Sequence, residues 1–276
     1  MKDMKKTIFT LLFGLIFFSS NCQTREELFD QAINLAKSGD NKNAEKITKQ
    51  LIDLDPEYND NYLYWCNLGT FQWNQAKQKE ALESYSKSIK LNDKNELAYT
   101  NRAELYSELK ETDKALKDYD KVLEINPYNE TALFDLGLIY SKKGDYTKAK
   151  NYYEKLLLKD PENYAIISNL ASIKKKQGLL SEALKDYNNL IDKHPKEALL
   201  YNNRADIYIR LKEYDKAFID VDKSLELNPN YTTAIITKGE IYYNKGDYEN
   251  ACLFFDLAIR KGAEKERVAS FLEKCK

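Results

Sequence analysis

The sequence predicts an all-α protein built as a solenoid of repeated helical hairpins, and three observations carry that reading. Ala81, Ala115, Ala149, Ala183, Ala217 and Ala251 recur every 34 residues, and Ala44 precedes the first of them by 37. Twelve residues before each alanine stands a second small residue: Ala32, Gly69, Ala103, Gly137, Ala171, Ala205 or Gly239. Twelve residues after, Pro56, Pro127, Pro161, Pro195 and Pro229 end five of the units, with Asp93 and Ala263 in the other two. Antiparallel helices approach closely only where side chains are small, so each pair of small residues marks a helix crossing.

The chain opens on a segment of a different kind. Lys2, Lys5 and Lys6 precede an apolar run from Ile8 to Phe18, the charged start and short apolar core of a secretory signal. The run falls short of the roughly 20 apolar residues that span a bilayer. Ser19, Ser20, Asn21 and Cys22 follow, so residues 1–22 resemble a bacterial lipoprotein signal in which Cys22 becomes the lipidated first residue. Ser19 and Asn21 depart from that pattern, and ordinary cleavage just after Cys22 is the other reading. Either route exports the protein, to the periplasm or to a lipid anchor on a bacterial membrane.

Seven units then fill residues 25–265: 25–58, 62–95, 96–129, 130–163, 164–197, 198–231 and 232–265. Within the fourth, Leu133, Leu136, Ile139 and Tyr140 recur at helical spacing, as do Ala149, Tyr153 and Leu156. Gly39, Gly144, Gly178 and Gly246 fall between the two helices of their units, where a left-handed residue ends a helix without strain. After the last unit, residues 266–276 are expected to form a capping helix through Val268, Phe271, Leu272 and Cys275, because a solenoid must cover its final apolar face.

Trp65-Cys66-Asn67-Leu68-Gly69, the turn Gly144-Asp145-Tyr146, Ala149 with Tyr153, and Leu157-Leu158-Lys159-Asp160-Pro161 resemble the tetratricopeptide-repeat motif. The resemblance covers nearly all of the chain after the signal. It implies a right-handed superhelix in which the first helix of each unit lines a concave face that holds an extended peptide or a helix of another protein.

Composition excludes other classes. Lysine plus arginine number 43 against 44 aspartates and glutamates, a net charge of −1, so no basic field draws nucleic acid. The single histidine, His194, precedes Pro195 and reads as a solvated turn residue. Cys22, Cys66, Cys252 and Cys275 contain no closely spaced pair, so neither a zinc site nor a catalytic constellation is expected, and no cofactor. Cys252 follows the alanine of the last unit, a place held by Leu82, Leu116, Leu184 and Phe218 elsewhere, and reads as core; a disulfide to Cys275 is the alternative in an oxidising compartment.

The sixth residue of each unit is Asp30, Asn67, Asn101, Asp135, Asn169, Asn203 or Thr237. An asparagine amide both donates and accepts, so it can pair with a peptide backbone whatever the side chains. The row resembles the asparagine ladder of the repeat domain in O-linked N-acetylglucosamine transferase. Asn67, Asn101, Asp135, Asn169 and Asn203, with Trp73, Phe134, Lys142 and Lys175, are therefore the candidate peptide-binding residues; solvation of the first helices is the competing reading. Tyr99 to Ala103 and Tyr201 to Ala205 also resemble the middle repeat of the carboxylate clamp of co-chaperones. Thr131 and Asp135, or Thr233 and Thr237, stand where that clamp needs lysine and arginine, so clamp binding is not expected.

The function expected is a non-enzymatic scaffold for a protein or extended peptide, touching the membrane only through lipid on Cys22. Support of an envelope enzyme or a carbohydrate-uptake complex is the alternative.

Overall fold

The computed structural model describes residues 24–53 and 61–275. The proposed signal with Cys22, and Pro56, lie outside them. Fourteen α-helices and no strand occur among the described residues: α1 Arg25–Lys37, α2 Asn41–Asp53, α3 Tyr62–Trp73, α4 Gln78–Leu91, α5 Glu96–Glu108, α6 Thr112–Ile125, α7 Glu130–Lys143, α8 Tyr146–Lys159, α9 Tyr164–Lys176, α10 Leu180–Lys193, α11 Ala198–Arg210, α12 Tyr214–Leu227, α13 Thr232–Asn244 and α14 Tyr248–Arg260. The chain divides into two compact units after Ala132, within the first turn of α7.

Local chemistry sets the helix ends. Thr24 and Glu27 cap the start of α1 reciprocally, the hydroxyl accepting from the Glu27 N–H and the carboxylate from the Thr24 N–H. Asn61, Asn95, Asn163, Asp145 and Asp247 accept from the first turns of α3, α5, α9, α8 and α14. Pro127, Pro161, Pro195 and Pro229 stand two residues beyond α6, α8, α10 and α12, where a residue lacking an N–H ends the run. The inter-helix turn is left-handed in every repeat described, at Gly39, Gly144, Gly178 and Gly246 and also at Ala76, Lys110 and Lys212 with φ of 58, 62 and 60°.

In the first unit α1 pairs with α2, α3 with α4 and α5 with α6, and each second helix packs on the next first helix, α2 on α3 and α4 on α5. The second unit repeats this, with α9 and α10, α11 and α12, and α13 and α14 as hairpins. First helices also touch each other, α3 with α5 in one unit and α9 with α11 and α11 with α13 in the other, forming the inner layer of each. Tyr85, Tyr119, Tyr153, Tyr187 and Phe255 fill the centre of their hairpins, each no more than 1% exposed. Small residues opposite admit these rings: a Cβ added at Gly137 would lie 2.5 Å from Tyr153.

Arg102 and Arg204, which make two segments look like a carboxylate clamp, face the second helix instead. Arg102 binds Asp118 through two bonds of 2.7 and 2.8 Å and Ser86 of the preceding hairpin at 2.8 Å. Arg204 binds Asp220 at 2.7 Å twice and Asn188 at 2.8 Å. Asp118 and Asp220 are buried, so these forks satisfy charges that would otherwise be costly to bury.

The C-terminal segment differs from expectation in form. The capping helix assigned to residues 266–276 is instead two short 3₁₀ turns, Lys265–Arg267 and Leu272–Lys274. The segment is too short and too charged to sustain α-helix by itself, yet it covers the last hairpin: Val268 is fully buried, and Phe271 stacks on Phe255 at 5.0 Å and meets Tyr243 at 5.1 Å. Cys252 is not a free core thiol but is bonded to Cys275, with Cα atoms 5.6 Å apart. His194 is half-buried rather than solvated, its ring 4.8 Å from that of Tyr164.

Candidate functional site

The inner layer of each unit presents the sixth-place residues, and the two units use them differently. In the first unit Asp30 is exposed on α1. The Asn67 amide donates to the Leu63 carbonyl one turn back at 2.9 Å. Asn101 donates to the Thr70 hydroxyl of the preceding repeat at 3.2 Å, and Thr70 in turn bonds the buried Tyr85 hydroxyl at 3.2 Å. Burial pushes the Tyr85 hydroxyl well above its ordinary pKa. The Trp73 indole donates to Glu108 of the following repeat at 2.8 Å. Three of the candidate groups in this unit are thus engaged inside the protein, two of them tying repeats together.

In the second unit Phe134 is half-buried against Tyr153, ring centroids 6.2 Å apart, and is a packing residue. Asp135 lies near enough for its charge to join burial in raising the Tyr153 hydroxyl. Asn169 on α9 and Asn203 on α11 are partly exposed and have no side-chain hydrogen bond among the described residues. Beside Asn203, Asn202 is 3% exposed and its Oδ1 has no partner. A buried acceptor without a donor costs free energy.

Lys175 is only 7% exposed, and its ammonium lies 2.6 Å from Asp206 of the next repeat, so it joins α9 to α11. Lys176 donates to the Ser141 hydroxyl of the preceding repeat at 3.2 Å, and Lys142 is exposed beside it. Neither Lys142 nor Lys176 has an acidic partner among the described residues. Partial desolvation, then the charges of Lys175 and Lys142, lower the pKa of Lys176.

Three contributors to this face were not singled out from sequence. Glu240 on α13 is held at a pKa of about 7 by burial and then by Asp206, against the pull of Arg267, Arg210 and Lys175. Arg210 shares Asp206 with Lys175, at 3.4 Å. Arg267, from the C-terminal turn, reaches the Thr233 hydroxyl at 3.5 Å. Repeat counting finds all three: Glu240 follows Asp206, Arg210 follows Lys176 and Arg267 follows Thr233, each by one repeat length.

Among the described residues no group of three or more histidines, cysteines or carboxylates is placed to hold a metal ion, and no helix is long and apolar enough to cross a membrane.

Stacked helical hairpins, a small residue at each crossing and a polar inner layer define a helical-repeat protein. The chain belongs to the tetratricopeptide repeat family, whose sequence models match residues 62–95, 97–129, 130–163, 198–231 and 232–260, more than half of its length. The crystal structure of a tetratricopeptide repeat protein from Parabacteroides merdae is similar, at 32% identity and a TM-score of 0.81 over 91% of this chain and 98% of that one. A chain of the APC/C hetero-tetramer Cut9–Hcn1 is 18% identical with a TM-score of 0.65, over 88% of this chain and 47% of that one. PilW, a type IV pilus biogenesis factor, is 20% identical with a TM-score of 0.60, over 75% and 97%. These last two share the fold alone. No curated protein matches the chain.

Proposed function

We propose that this protein is a non-enzymatic scaffold of the bacterial envelope that holds an extended segment of another protein across the inner helices of its second unit. Repeats of this family commonly serve as scaffolds for protein interactions. The observation that carries the reading is the pair Asn169 and Asn203: equivalent places on consecutive repeats, partly exposed, with amides that bond nothing among the described residues. An amide row of this kind reads backbone rather than sequence. Asn67 and Asn101, at the same places in the first unit, hold their own fold.

Export is supported by the charged and apolar start of the chain and by the Cys252–Cys275 disulfide, a bond that persists in oxidising compartments. Lipidation of Cys22 would keep the scaffold at the membrane.

The test is Asn169→Ala with Asn203→Ala, beside Asn101→Ala. Two backbone hydrogen bonds contribute about 1–3 kcal/mol together, so the double variant loses about 5- to 150-fold in partner or peptide affinity at unchanged melting temperature. Asn101→Ala does the reverse, melting lower with affinity kept. Unchanged affinity in the double variant would remove the reading.

A further inference from the structure

The second unit carries another row parallel to its amides. Lys142, Lys176 and Arg210 occupy one place on α7, α9 and α11, each seven residues beyond Asp135, Asn169 and Asn203. Seven residues are two helical turns, about 10 Å along each axis. An amide row is therefore flanked by a cation row on the same faces. Lys142 and Lys176 lie close enough for their charges to act on each other, and neither pairs with an acid among the described residues, while Arg210 shares Asp206, at 3.4 Å, with Lys175 at 2.6 Å. Like charges held this close are stabilised by an anion from outside. The first unit lacks this row: Glu108 stands where Lys142 and Lys176 stand, beside Trp73.

We propose, building on the peptide-binding reading above, that the segment held by the second unit is acidic, its backbone on Asn169 and Asn203 and its carboxylates on Lys142, Lys176 and Arg210. The spacing refines this. Neighbouring first helices lie about 8–10 Å apart, and a polyproline II chain returns the same face every three residues, about 9 Å. One carboxylate in every three residues matches one cation per repeat.

The experiment measures binding of three labelled peptides, repeats of Glu-Ser-Pro, Gln-Ser-Pro and Lys-Ser-Pro, to the full chain, to Lys142→Ala with Lys176→Ala, and to Asn169→Ala with Asn203→Ala. The Glu peptide should bind most tightly and weaken with salt. The lysine double variant should lose about 5-fold for that peptide and little for the Gln peptide. Equal affinity for the Glu and Gln peptides, or a Glu preference undiminished by loss of both lysines, would overturn the acidic partner and leave peptide binding standing. If none of the three binds, or if the asparagine double variant binds all of them as the unchanged chain does, the scaffold reading fails and this inference with it.

Discussion

Tyr85, Tyr153 and Tyr187 fill the same place in their hairpins, yet their hydroxyls meet different surroundings. Fifteen residues earlier stand Thr70, Leu138 and Ser172. Tyr85 bonds Thr70, and Tyr187 bonds the Ser168 carbonyl at 3.0 Å with help from Ser172. Leu138 can bond nothing, and the Tyr153 hydroxyl is buried without a partner. Deleting a satisfied buried hydroxyl costs about 1 kcal/mol, whereas deleting an unsatisfied one removes a penalty. Tyr187→Phe is therefore expected to unfold at lower urea concentration, and Tyr153→Phe at the same or a higher one. Matching losses in the two variants would show that Tyr153 has a partner after all. The same leucine explains Asn169. Asn101 reaches back 31 residues to Thr70, and the residue 31 before Asn169 is Leu138, which offers no acceptor. Ser172 stands in that relation to Asn203 but turns to Tyr187.

Among the elements, the C-terminal turns depend most on outside support. Two 3₁₀ turns of three residues each hold little structure alone, so Val268, Phe271 and the Cys252–Cys275 bond must keep them on the last hairpin. A bond closing a loop of 23 residues stabilises by about 3 kcal/mol in the chain-entropy account. Solenoid repeats feel mainly their neighbours. Cys275→Ser should accordingly speed hydrogen exchange at residues 265–275 and in α13 and α14, with α9 unchanged. Uniform acceleration through α9 would contradict nearest-neighbour stability. Unchanged exchange at the end would mean that the apolar contacts suffice without the bond. The segment matters to the site as well, since it carries Arg267 to Thr233.

For the molecule as a whole, two features bear on where it works. The charged and apolar start and the disulfide argue for export by independent routes, one through targeting and one through redox chemistry. Protein recovered from a native membrane fraction is expected to begin at Cys22 or Gln23, and Cys22→Ala to release it into the soluble fraction. A chain recovered from the cytoplasm with Met1 intact would refute export, and a membrane fraction unaltered by Cys22→Ala would refute the lipid anchor while leaving export in place. The division of labour between the units belongs to this scale too: Asn67 and Asn101 of the first bond inside it, while Asn169, Asn203 and Lys142 of the second have no hydrogen bond or ion pair among the described residues.

The hairpins were legible from the residues alone, because their packing is local: a small residue and the alanine twelve residues on need only each other to mark a crossing, and the repeat copies that relation along the chain. The repeat spacing also placed Asn67, Asn101, Asn169 and Asn203 on equivalent faces, but it could not separate them. Tertiary structure did, because each amide's fate depends on an acceptor in another helix or one turn back, and a single exchange of Thr70 for Leu138 at one register place leaves the next amide unbonded. The same limit governed the C-terminus. The residues left a Cys252–Cys275 disulfide only as an alternative, because the bond requires the two Cα atoms to come close, and the 3₁₀ path over α14 brings them to 5.6 Å.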